Sequence, residues 1–207
     1  MSSAISRNPI LIAEGSQVLP ATVRHLILDR DGVLNREPED GSYVRTPEEF
    51  EWLPGALEAL ALLRRAGVRL TVATNQAGVG RGIVSPADLA AVHTHMQAKA
   101  TAAGGALDAV LVCTHTPEAQ CLCRKPAPGL VQTAIARSGI AAAETLLVGD
   151  DGRDLEAARR AGVAAALVRT GKGRRTEAQL SGADLVAYDD LLQLARVLAG
   201  DEPRAGR

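Results

Sequence analysis

Short aliphatic runs alternate along this chain with longer stretches in which apolar residues recur every three or four positions. The short runs are Val23 to Leu28, Val68 to Ala73, Leu107 to Cys113, Thr145 to Val148 and Val163 to Val168. Each is rich in valine, leucine, isoleucine or alanine and too short for a typical helix, so each predicts a buried strand. Asp184 to Ala187 predicts a short sixth. The longer stretches predict helices. Pro54-Gly55 opens one that carries Leu57, Leu60, Leu62 and Leu63, and Ser85-Pro86 supplies an N-cap and first-turn proline for another reaching about Ala103. A third begins at Pro128-Gly129 and ends near Gly139, a fourth spans about Leu155 to Ala161, and a fifth runs from Leu191 to Leu198.

This alternation implies an α/β fold, a Rossmann-like parallel sheet with right-handed crossovers and helices on both faces. Residues 23–200 read as a single domain, preceded by a weakly patterned leader over 1–22 and followed by a disordered tail over 201–207. The polar segment from Asn35 to Glu51 is too long for a tight turn and too short to build a large cap domain.

Polar clusters stand at the carboxyl ends of the strands. Asp29 and Asp31 follow the first, Thr74 and Asn75 the second, Lys125 a loop after the third, and Asp150 and Asp151 the fourth. In a parallel sheet these ends share one edge, where ligands bind. Asp29 and Asp31 are expected to differ in environment and so to take different roles, and alternation along the chain predicts that Arg30, between them, points away. Taken singly, Asp29 to Gly32 also reads as a strand followed by an Asp-Gly turn, Thr74-Asn75 as a turn, and Lys125 as a solvated surface lysine. Together, carboxylates with a lysine and hydroxyl or amide donors suit a hard divalent cation and a phosphoryl group. Asp154 reads equally as a ligand-orienting acid or a helix cap.

Composition narrows the picture. Aromatic residues make up only 2%, so the core must be aliphatic and the stacking platform of single-strand nucleic-acid binders is missing. A net charge of −1 without a basic block argues against nucleic acid or a membrane surface as partner. No apolar run approaches the roughly 20 residues of a membrane span, the first residues lack a signal-peptide core, and a cytoplasmic monomer is the expectation. All three cysteines lie between 113 and 123. Cys113, His115, Cys121 and Cys123 make a complete tetrahedral set for a structural Zn²⁺, the other reading being three reduced cysteines and a loop histidine. His93 and His95, on the second predicted helix, read as exposed or interfacial.

The segments DRDGVLN, Thr74, RKP and GDDGRD resemble, in order, the four motifs of the haloacid dehalogenase superfamily of phosphohydrolases. The resemblance implies Mg²⁺-dependent phosphate-ester hydrolysis. Asp29 would attack phosphorus to form an aspartyl phosphate, Asp31 would transfer protons, and Thr74 and Lys125 would hold the phosphoryl group. The Asp29 and Asp150 carboxylates and the Asp31 main-chain carbonyl would bind the metal. The Cys-x-His plus Cys-x-CRKP loop is similar to that of the branch acting on heptose 1,7-bisphosphate, a small phosphorylated sugar, and to that of the histidinol-phosphate phosphatases. Asn35, the Gly41 to Val44 segment and Thr74 to Gly82 favour the heptose branch. Substrate contacts are then expected from Asp40, Tyr43, Asn75, Gln76, Arg81, Arg124 and Asp151. One departure is Asp151, where such enzymes often carry lysine. A zinc-stabilised binding module without catalysis is the alternative from another class, and the intact set of Asp29, Asp31, Thr74, Lys125 and Asp150 argues against it.

Overall fold

The computed structural model describes residues 19–38, 41–180 and 185–202. Its strands are β1 (His25–Leu28), β2 (Arg69–Asn75), β3 (Ala109–Cys113), β4 (Thr145–Gly149), β5 (Ala164–Val168) and β6 (Ala187–Tyr188). All pairs are parallel, in the order β3-β2-β1-β4-β5-β6. The helices are α1 (Ala56–Arg65), α2 (Ala77–Gly80), α3 (Pro86–Ala102), α4 (Gly129–Ser138), α5 (Gly152–Ala161), α6 (Gly173–Gln179) and α7 (Leu191–Ala199).

Strand β1 lies inside the sheet, and all four of its residues are fully buried. Period-two alternation sends Leu26 and Leu28 to one face, where they join Leu60 and Leu63 of α1, Met96 of α3 and Leu194 of α7. Ile27 faces the other way, with Val131 of α4, Leu155 of α5 and Leu147 of β4. Each such aliphatic side chain contributes roughly 1.5–3 kcal/mol on burial. The chain winds outward from β1 through β2 to β3 and then returns to β4 on the opposite side of β1. Strand order therefore reverses between β1 and β4, and the crevice of an open α/β sheet lies beyond the carboxyl ends of these two strands.

The differences from the sequence expectations are local. Helix α5 starts at Gly152, three residues early, because Asp151 and Asp154 form a reciprocal capping box. Thr74 and Asn75 belong to β2, held by pairing with Val112 and Cys113. Helix α6, Gly-Arg-Arg-Thr-Glu-Ala-Gln, buries only Gly173 and Thr176, so no apolar period announces it. The sixth strand is Ala187–Tyr188, Asp184 lying outside the described residues. Most of the predicted leader (1–18), Asp40 and most of the tail (203–207) also lie outside them. Among the described residues, the segment between β1 and α1 forms one 3₁₀ turn, Pro47–Glu49, and two isolated bridges, Asp31 with Asn35 and Asn35 with Trp52, and no helix is long and apolar enough to cross a membrane.

Candidate active site

Four strand ends meet at a cavity of about 200 Å³ lined by Asp29, Asp31, Thr74, Lys125 and Asp150. Lys125 is 2% exposed, and its Nζ lies 3.0 Å from Asp29 Oδ1 and 2.6 Å from Asp154 Oδ1. Burial alone would lower the pKa of this ammonium, but Asp154 and then Asp29 raise it to about 12. Burial pushes Asp29 up to about 7, with Asp154 and Asp31 adding to the rise and Lys125 opposing it. Lys125 itself is placed by Asn75. The Asn75 amide donates to the Lys125 carbonyl at 3.0 Å, and its Oδ1 accepts from the Lys125 N–H at 3.1 Å.

Arg30 departs from expectation. It does not point away but lies 1% exposed, with Nη2 at 2.7 Å and Nε at 3.1 Å from Asp31 Oδ1. Strand alternation ends at Leu28, and the turn after it folds the guanidinium back over the next residue. His93 likewise is buried, its Nε2 3.2 Å from Arg30 Nη1. It falls between Leu89 and Met96 on the buried stripe of α3, and burial, then the charge of Arg30, lowers it to about 4. Gln76 and Asn35 donate to the two oxygens of Asp31 at 2.7 and 2.9 Å. Burial would raise the Asp31 carboxyl, but Arg30 foremost holds it below the usual carboxylate range.

Asp150 is 2% exposed, and its carboxylate packs against a fifth strand-end loop, Thr170-Gly171-Lys172-Gly173, which follows β5. The Lys172 N–H donates to Asp150 Oδ2 at 2.8 Å, the Thr176 hydroxyl to the Asp150 carbonyl at 2.8 Å, and the Thr170 hydroxyl to the Gly32 carbonyl at 2.6 Å. The approach requires glycine: a Cβ on Gly171 would sit 2.1 Å from Asp150 Oδ2, and one on Gly32 2.0 Å from it. Burial, with the charges of Asp29 and Asp154, drives Asp150 up to about 8. Carboxylate oxygens of Asp29, Asp150 and Asp154 lie within 4.8 Å of one another, and Asp154 is already engaged by Lys125. A buried and a part-buried carboxylate that both resist ionisation are a donor set that fits a hard cation such as Mg²⁺.

The expected substrate residues divide. Tyr43, Arg81 and Arg124 line the cavity, Arg81 donating to the Tyr43 hydroxyl at 2.6 Å and Arg124 to the His115 carbonyl at 3.4 Å. Asn75 and Gln76 reach the cavity wall but spend their amides on Lys125, Asp31 and Thr74. Asp151 does not line the cavity; it caps α5 and pairs with Arg153 at 2.7 Å. Arg153, Lys172 and Glu37 line it unforeseen. The glycines and lysine of the loop after β5, at the same edge as the other motifs, were the available signal.

Beside this edge, Cys113, His115, Cys121 and Cys123 converge. Their sulfurs are 3.3 to 3.6 Å apart, and His115 Nδ1 is 3.6 Å from Cys113 Sγ and 3.3 Å from Cys123 Sγ. No pair is a disulfide. A tetrahedral ion with Zn–S bonds of about 2.3 Å has sulfur–sulfur edges of about 3.8 Å, so these donors already stand close to that figure.

Comparison with known proteins agrees with this geometry. A HAD-hydrolase-like family model matches residues 122–194. The D-glycero-beta-D-manno-heptose-1,7-bisphosphate 7-phosphatase of Bordetella bronchiseptica is 44% identical over 154 residues, 74% of this chain and 85% of that protein. The corresponding alpha-named enzyme of Mycobacterium tuberculosis is 45% identical over 143 residues, 68% of this chain and 74% of its own. The crystal structure of D,D-heptose 1.7-bisphosphate phosphatase from B. bronchiseptica, complexed with magnesium and phosphate, has a TM-score of 0.81 at 40% identity and covers 87% of this chain and 100% of that one. The fold and site define a phosphohydrolase of the haloacid dehalogenase-like class. Within it, the chain belongs to the family of the D-glycero-D-manno-heptose-1,7-bisphosphate 7-phosphatases.

Proposed function

We propose that this chain hydrolyses the 7-phosphate of a D-glycero-D-manno-heptose 1,7-bisphosphate, with residues 23–200 as the catalytic unit. The observation that carries this reading is the convergence of Asp29, Asp31, Thr74, Lys125 and Asp150 on one small polar cavity. Asp29 is the nucleophile, and covalent catalysis splits a hard displacement into two easier ones. Its oxygen bonds to phosphorus as the bond from phosphorus to the sugar oxygen breaks, and Asp31 gives that oxygen a proton. Water then attacks phosphorus, Asp31 takes its proton, and the bond to Asp29 breaks to release phosphate. Lys125 and the Thr74 hydroxyl hold the phosphoryl oxygens. The Asp29 and Asp150 carboxylates and the Asp31 carbonyl would hold Mg²⁺, which when bound neutralises charge on the transferring group.

Tyr43, Arg81 and Arg124, on the cavity wall, contact the sugar and its second phosphate. The Cys113–His115–Cys121–Cys123 tetrad holds a structural Zn²⁺, fixing the loop that carries Arg124 and Lys125.

The test is Mg²⁺-dependent phosphate release from a panel of sugar phosphates and histidinol phosphate, with specificity constants compared side by side. Heptose bisphosphate should give the highest value. Asp29→Asn should abolish turnover while melting like the parent protein; retained hydrolysis removes Asp29 as nucleophile, and a preference for histidinol phosphate removes the substrate assignment.

A further inference from the structure

The buried Arg30–His93 pair has no part in the chemistry above, yet it grips the residue that moves protons. Both nitrogens on one side of the guanidinium are spent on Asp31: Nε on Oδ1 at 3.1 Å, and Nη2 on Oδ1 at 2.7 Å and Oδ2 at 3.0 Å. Nη1 on the other side faces His93 Nε2 at 3.2 Å. A guanidinium only donates, so His93 must present a lone pair at Nε2 and carry its proton on Nδ1. His93 is held in turn by α3, whose Leu89, Val92, Met96 and Ala100 are packed into the core. A rigid helix thus fixes an imidazole, the imidazole fixes a planar fork, and the fork fixes a carboxylate.

The loading of the two Asp31 oxygens is unequal. Oδ1 accepts from Nε, Nη2 and the Asn35 amide, whereas Oδ2 has one short bond, from Gln76 at 2.7 Å, and a share of Nη2. With two donors against three, Oδ2 is the less heavily engaged oxygen, the one that can take a proton with fewer hydrogen bonds displaced. We propose that Arg30, steadied by His93, is a positioning residue that turns Oδ2 of Asp31 toward the reacting oxygen for both proton transfers. This rests on the reading of Asp31 as acid and base. In the first step the Oδ2 proton passes to the sugar oxygen as its bond to phosphorus breaks. In the second, Oδ2 accepts a proton from the attacking water as the bond from Asp29 to phosphorus breaks. Nothing else is consumed.

The experiment uses two substrates whose leaving groups differ. A sugar alkoxide needs the proton of Asp31, whereas p-nitrophenolate leaves without one, yet both routes share the second, base-assisted step. Arg30→Met should lower kcat on heptose bisphosphate on the order of 10²-fold, within the range of general acid–base effects, with KM changed by less than about threefold. On p-nitrophenyl phosphate the same variant should show a burst of p-nitrophenolate matching the enzyme concentration, followed by slow turnover, because aspartyl phosphate forms normally and then waits for a base. His93→Leu should show the same burst with a smaller fall, and His93→Gln, which restores an acceptor, should return kcat to within a few-fold of the parent. The His93 pair decides the matter if Arg30→Met does not fold.

Parent-like turnover in folded Arg30→Met or in His93→Leu overturns the proposal, as does an equal loss on both substrates without a burst. Asp31→Asn separates the failures. If it turns over heptose bisphosphate normally, the role of Asp31 falls; if it fails while the Arg30 and His93 variants do not, only the positioning role falls.

Discussion

Replacing Gly171 by alanine should injure the proposed metal cradle at Asp150 far more than its single methyl group suggests. The added Cβ would lie 2.1 Å from Asp150 Oδ2 and 2.6 Å from the Cα of Gly32, well inside contact distance, at a φ of +53°. Either the Asp150 carboxylate or the Gly32 turn must retreat by about an ångström, and overpacking of this kind costs about 1–3 kcal/mol. The left-handed backbone adds about 1 kcal/mol for any residue but glycine. Gly139 is the control: its φ is +67°, yet nothing lies within 4 Å of its Cβ position, so Gly139→Ala incurs the conformational cost alone. At about 2–4 °C per kcal/mol for a chain of this size, Gly139→Ala should melt a few degrees low and Gly171→Ala roughly 5–15 °C low. Because Lys172 N–H orients Asp150 from the same turn, Gly171→Ala should also weaken Mg²⁺ binding about 10- to 100-fold, as disturbed outer partners of metal ligands do. Calorimetric titration with Mg²⁺ alone reads this directly, beside thermal melts of both variants. Equal melting shifts and unchanged Mg²⁺ affinity would refute the steric reasoning.

His25 is fully buried between two threonines, its Nε2 3.0 Å from Thr71 Oγ1 and its Nδ1 3.4 Å from Thr145 Oγ1. Burial first, then Arg69, lowers its pKa from 6.5 to about 4. The unfolded chain therefore binds the extra proton between these values, so the neutral imidazole's stability is complete above pH 6.5, falls as pH drops, and is lost below about 4, worth roughly 3 kcal/mol. Urea melts across this window should show the parent losing that much more than His25→Gln; parallel curves would exclude His25 as the cause. For the thiol–imidazole tetrad, metal analysis of freshly purified reduced protein should find about one zinc per chain, and stripping it should lower the melting temperature. Metal-free protein with an unchanged melt would remove the ion from the account.

The sheet was legible because its strands are aliphatic runs set apart by helical periods, and four of its ends carry chemistry that a parallel arrangement gathers. Residues whose role depends on direction were harder to read. Arg30 stands in a turn just after β1, where alternation no longer applies. The loop at Thr170 to Gly173 carries no charge pattern of its own beyond Lys172, and its contribution is made by backbone N–H groups and missing side chains. His93 was readable after all. Leu89, His93, Met96 and Ala100 follow one another at four, three and four, so the imidazole falls on the core stripe, and its polarity hid the spacing. Asp151 shows the reverse case: its motif position suggested substrate, but a reciprocal cap with Asp154 claims it first.

The double use of Asn75 bears on how this enzyme can change. Its backbone pairs with Cys113 at the start of the loop, and its side chain clasps Lys125 at the end. One residue therefore closes the whole excursion, and Lys125 is held directly by Asn75 at its end as well as through the tetrad within the loop. The crest at Pro117–Ala119 has no buried residue, and Leu122 is 85% exposed. Since doubling a flexible loop costs only about 0.6 kcal/mol, the crest can accept insertions that reshape the mouth of the cavity while Asp29 keeps Lys125 as its partner, which makes it the natural place to graft a new specificity onto an unaltered cluster of strand-end residues.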